Sequence, residues 1–241
     1  MASPTGDAAL GGRLAAALET VRTVFAGATA RSDETNCDCH WGSPEELALL
    51  KTPDVPLDAD LLLRTWSAPD WRDHPAVMRR ILPQLAHALA TGRADPWQVG
   101  PALARSRWPD WPGEQPEAVG GFLCAWWAHV LEQPQPPHPA REVFDTCVAA
   151  SGTVTPWLAA WARCTTPAAD RHLLAAVEAW EYDLIGAELP APWHWDHSET
   201  TAAQELMAWL RRHAPARLAA HGADAELVRL VGSLVTPLVA R

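Results

Sequence analysis

The chain has 241 residues, 19 Lys plus Arg against 29 Asp plus Glu, a formal charge of −10, and 48% apolar residues. That is enough for one large domain or two small ones around a sizeable core. The acidic balance argues against a nucleic-acid binder, whose affinity rests on neutralising phosphates. No apolar run approaches the length needed to cross a membrane, so no membrane partner is expected either. The first thirty residues, with Asp7, Glu19 and Arg22, make a poor secretory signal, and a cytoplasmic protein is expected.

The sequence holds 14 Trp, 3 Phe and 1 Tyr, and Lys51 is its only lysine. This is the residue set that GC-rich codons favour, and most of the bias is read that way. Each indole is large and carries one N–H that wants a partner when buried. Not all of the tryptophans fit fully inside, so some are expected to line a groove or an interface.

Residues 1–8 read as disordered and 9–241 as a single all-α domain. Leu10, Leu14, Leu18, Val21 and Phe25 advance by three or four and predict a first helix over residues 8–30. Ser43, Pro44 and Glu46 form a capped start for a short helix through Leu50. Asp58 opens another, with Leu61, Leu62 and Trp66 apolar. Val77, Ile81, Leu85 and Leu89 mark the clearest stripe, with Pro83 inside it predicting a kink or a break. Val119, Leu123, Trp127 and Leu131 mark a second, broadened by Phe122, Trp126 and Val130. That face is too wide for one neighbour. The segment Glu132 to Ala140 is Pro-broken and is the best place for a sub-domain break. Helices follow near 141–150, 155–164 and 168–186, then a loop from Glu188 to Ser198, then helices near 199–213 and 224–240. Strand signals are nearly absent.

Two segments resemble each other. Pro69-Asp70-Trp71 precedes the stripe at 76–89, and Pro109-Asp110-Trp111 precedes the stripe at 118–131. The stripes are offset by 42 residues and agree at Ala76/Ala118, Val77/Val119, Ala86/Ala128, His87/His129 and Leu89/Leu131. A period near forty with paired helices resembles the HEAT and armadillo class in architecture, without a signature motif. The fold expected is therefore all-α, with antiparallel helix pairs stacked as an irregular HEAT-like array or an orthogonal bundle.

The sharpest chemical feature is Asn36-Cys37-Asp38-Cys39-His40-Trp41. Two thiols and an imidazole are the donors that zinc takes at tetrahedral angles. Cys37, Cys39 and His40 are therefore candidate zinc ligands, with a fourth from His74, His194, His197 or water. The same residues read equally as two redox-active or adventitious thiols, or as a plain loop. Zinc sites usually show two separated ligand pairs, and here there is one. The second cluster is Trp193-His194-Trp195-Asp196-His197, a candidate ligand site with Trp41, or a connecting loop in which Asp196 or Ser198 caps the next helix. Asp70, Asp73 and His74 read chiefly as a helix cap, and His87 and His129 as packed or snorkelling residues. Cys124, Cys147 and Cys164 read as small buried hydrophobes. Nucleotide-binding, zinc-protease and serine-hydrolase motifs are absent.

Three functional readings follow. The first is an all-helical interaction or ligand-binding protein, its partner unspecified, with a zinc loop at 37–40. The second is a metal-dependent hydrolase or lyase using that cluster. The third is an acidic immunity-like or regulatory protein that binds a basic partner.

Overall fold

A computed structural model of the protein describes residues 10–37, 41–96, 98–185 and 199–234. Among the described residues there are eleven α-helices and no strand, so the fold is all-α. The chain divides into two compact units between His129 and Val130.

The first unit begins with α1 (Gly12–Val24) and α2 (Pro44–Leu50). The stripe that opens the chain does not carry α1 to residue 30. The amide of Phe25 still reaches Val21, but Gly27 then takes a left-handed φ of 77° and turns the chain. The predicted start of α2 is a full capping box: Ser43 accepts from the Glu46 amide, and the Glu46 carboxylate accepts from the Ser43 amide. Next come α3 (Ala59–Ser67), capped by Asp58, and α4 (His74–Ala90), capped by Asp73. Pro83 does not break α4, which runs through it. A short helix absent from the sequence reading follows, α5 (Val99–Arg105), entered through Gln98 at a φ of 66°. A 3-10 turn at Trp108–Asp110 leads into α6 (Gln115–Glu132).

The two Pro-Asp-Trp corners do the same job. The Trp71 indole N–H donates to the carbonyl of Thr65 in α3 at 2.9 Å. The Trp111 indole donates at 2.9 Å to the carbonyl of Ser106, which closes α5. Each indole thereby satisfies a carbonyl at the end of the preceding helix. Helices α4 and α6 have 17 and 18 residues, and their buried positions coincide in the 42-residue register at Ala76/Ala118, Val77/Val119, Ile81/Leu123, Leu85/Trp127 and Leu89/Leu131.

The second unit holds α7 (Ala140–Ser151), α8 (Thr155–Arg163), α9 (Pro167–Ile185), α10 (Glu199–Ala220) and α11 (Ala225–Gly232). Its core centres on Phe144, Trp161 and Trp180, whose ring centroids lie 5.6 to 6.5 Å apart at tilted or edge-on angles. Arg217 on α10 donates to the Trp161 and Cys164 carbonyls, which end α8, and pairs with Asp170 of α9.

Most tryptophans among the described residues are core residues, and two are only partly covered, in line with the expectation that not all fit inside. Nine of these Trp are buried and Trp108 and Trp209 are half-buried. With few Phe, Tyr and Ile, indoles supply the bulk of the core. Of the three cysteines read as buried, only Cys147 is; Cys164 is half-buried, and Cys124 faces solvent because it lies off the buried phase of α6.

Candidate functional site

The zinc loop is not supported. Among the described residues no group of three or more His, Cys, Asp or Glu is placed to hold a metal ion. Cys37 is disulfide-bonded, so its sulfur is not a free thiolate. A disulfide is the state of an oxidising compartment or of a redox-active pair, not of a zinc ligand. His74, one of the histidines offered as a fourth ligand, is buried at the start of α4, with its Nε2 2.9 Å from the Ala102 carbonyl. Burial holds its pKa below the ordinary histidine value; the Ala102 contact opposes that and the nearby Arg105 charge adds to it. It is a core histidine. Cys39, His40, Trp193, His194, Trp195, Asp196 and His197 lie outside the described residues.

Trp41, read as a ligand contact, belongs to the core. It is buried, and its ring meets Trp71 edge-on at 4.9 Å between centroids. The loop around it is held by groups that the sequence did not single out. Glu34 is 1% exposed, and its carboxylate accepts from the amides of Thr35, Arg72 and Asp73 at 3.1, 2.9 and 3.0 Å. Arg64 on α3 donates to the Trp41 carbonyl and pairs with Glu46 at 2.7 Å and Asp60 at 2.8 Å. These contacts pin the described parts of the connector, at Glu34 and at Trp41. Asp73 caps α4 by accepting from the Ala76 amide at 2.9 Å, as its position implied.

An open groove lies elsewhere in the first unit. A groove of about 760 Å³ opens between α1, α4 and the segment Asp54–Pro56. Leu10, Leu18 and Phe25 of the first apolar stripe line it, with Pro83 opposite. Leu10 and Leu18 remain half-buried although the stripe marks them as core. On α4 the groove face is the row Arg80, Gln84 and His87, spaced by four and three residues as one helix face requires.

Arg80 and Gln84 are tied to the wall. Arg80 is 6% exposed. Its Nε donates to the Thr52 carbonyl at 3.1 Å, and its Nη2 to those of Leu49 and Val55 at 3.2 and 2.5 Å. A cation is thereby held at the carbonyl end of α2, where the helix dipole favours it. Burial pulls its pKa below the ordinary arginine value, and Asp54 acts in the opposite sense. The side-chain amide of Gln84 accepts from the Leu57 amide at 2.9 Å and donates to the Leu57 carbonyl. At the rim, Arg22 pairs with Glu19, with Nε to Oε2 at 2.8 Å, and Asp54 accepts from the Gly27 amide at 3.1 Å.

The internal register makes this row informative. The positions of α6 that match Arg80 and Gln84 are Phe122 and Trp126, both buried and stacked at 5.7 Å between centroids. His87 matches His129, which is buried and would meet a side chain added at Gly11 at 3.2 Å. One helix fills this face with aromatic bulk; the other places polar groups beside a cavity. The signal was present in the sequence as a polar row running through the apolar phase of the stripe at 76–89.

The chain matches no known protein family, no curated protein and no solved structure. No described helix is long and apolar enough to cross a membrane.

Proposed function

We propose that the first unit is a small-molecule-binding module and that the groove between α1 and α4 is its ligand site. The observation that carries this reading is the replacement of the apolar row of α6 by Arg80 and Gln84 in the matching row of α4. Sites for small ligands are concave, apolar over most of their walls, and furnished with a few converging polar groups. A volume near 760 Å³ falls in the range of such sites, roughly 300–1,000 Å³. The polar groups are held by hydrogen bonds to backbone and so are fixed before any ligand arrives, which lowers the entropy cost of binding. Paired helices at a spacing near forty residues, with an indole at each corner, support a HEAT- or armadillo-like arrangement for α3 to α6.

The test uses N-phenyl-1-naphthylamine, a neutral dye whose fluorescence rises in apolar surroundings. Wild-type protein gives saturable enhancement. Ala15 is exposed on α1 and lines the groove, so Ala15→Trp fills the site without touching the core and removes the signal while far-UV circular dichroism is unchanged. Absence of saturable enhancement in the wild type, or an equal signal in the variant, refutes the groove as a binding site.

A further inference from the structure

Arginines that capture carbonyl oxygens recur in this protein, and they are not all neutralised alike. Arg217 collects the Trp161 and Cys164 carbonyls at the end of α8 and pairs with Asp170. Arg64 collects the Trp41 carbonyl and pairs with Glu46 and Asp60. Arg80 collects three carbonyls at the end of α2, is the most buried of the three, and has no carboxylate within ion-pair distance among the described residues. Its Nε and Nη2 are engaged, and Nη1 makes no hydrogen bond among the described residues. A buried guanidinium without a direct ion pair is costly, and carbonyl dipoles and the more distant Asp54 carboxylate offset only part of that cost. The side chain that lacks a direct ion pair lines the groove.

We infer that the ligand of this groove is a small amphipathic carboxylate, with its anionic end on Arg80 and its hydrocarbon along Leu10, Leu18, Phe25 and Pro83. This rests on the groove being the ligand site. The remaining charges of the groove agree with a monoanion. Glu19 is engaged by Arg22, and Asp54 by the Gly27 amide, but both carboxylates still face the site and oppose a dianion.

The experiment compares three ten-carbon probes, decanoate, decanol and decylamine, by isothermal titration calorimetry at about pH 8, where the carboxylate probe is fully ionised. Decanoate is expected to bind at least about tenfold more tightly than the other two, the weight of one charge-assisted hydrogen bond. Arg80→Met is expected to abolish that preference. Because this variant also releases the wall formed by Thr52 and Val55, the double variant Arg22→Gln with Glu19→Gln serves as the second: it removes the rim ion pair without changing the net charge, and the preference is expected to survive within about twofold. Loss of the preference in this double variant assigns the anion to the rim and overturns the proposal. Equal binding of all three probes also overturns it while leaving the groove a binding site. Binding of none removes the groove reading itself.

Discussion

Glu34 offers the most direct test of how the first unit is held together. Its buried carboxylate accepts three backbone amides, two on Oε1 and one on Oε2. Two of them, from Arg72 and Asp73, immediately precede α4. Glu34→Gln keeps the shape and one acceptor oxygen, but it turns an amide –NH2 toward at least one backbone N–H. One charge-assisted hydrogen bond is lost, one buried donor is left facing another, and the remaining bonds weaken from ionic to neutral. Together these cost about 2–4 kcal/mol. With a urea m-value of about 2 kcal/mol/M, the midpoint should fall by about 1–2 M at unchanged slope. Following α4 amides by NMR during the titration reads this unit by itself, and native-state exchange at the Asp73 amide should accelerate in parallel. Glu178→Gln removes the same charge from an exposed site on α9 and should stay within about 0.5 kcal/mol of wild type. A Glu34→Gln variant as stable as that control, with Asp73 exchange unchanged, would show that the carboxylate holds nothing.

His74 and the tryptophan corners give further tests. Because burial lowers the pKa of His74 from its ordinary value of 6.5, the folded state keeps the ring neutral while the unfolded chain takes up the proton first. Its contribution to stability is complete above about pH 6.5 and is lost as pH falls from there through the folded value. His74→Gln, which can still donate to Ala102 but does not titrate, should narrow the gap between urea midpoints at pH 7.5 and pH 5.5; an unchanged gap would rule out this source of acid sensitivity. Trp71→Phe and Trp111→Phe each leave one buried carbonyl, of Thr65 or Ser106, without its indole donor. Each should cost about 1–3 kcal/mol, and the two costs should add to within about 0.5 kcal/mol. Thermal unfolding of the two single variants and the double variant checks this, and a loss at only one corner would mean that the two are not equivalent.

Much of the helical plan is written locally. A capping box, an N-terminal Asp and an apolar row every three or four residues act within one or two turns, so α2, α3, α4 and α6 could be placed from the sequence. Where a local signal was misread, a local feature decided: Gly27 ends α1 early, and Gly100 with Pro101 masks α5. The two Pro-Asp-Trp corners were also visible as a repeated motif, although only the structure gave the indoles their carbonyl partners. The chemistry was read from residue type at Cys37, Cys39 and His40. Residue type names what a side chain is able to do, whereas the pairing of Cys37 and the burial of His74 and Trp41 decide what is left available. Glu34 and Arg80 passed unnoticed for the complementary reason. Each takes its role from backbone groups far along the chain, 38 residues away for Glu34 and Arg72 and 28 for Arg80 and Thr52. Short-range hydrogen bonding and periodic apolarity set the helices; desolvation, which depends on which segments are brought together, selected the charges that matter.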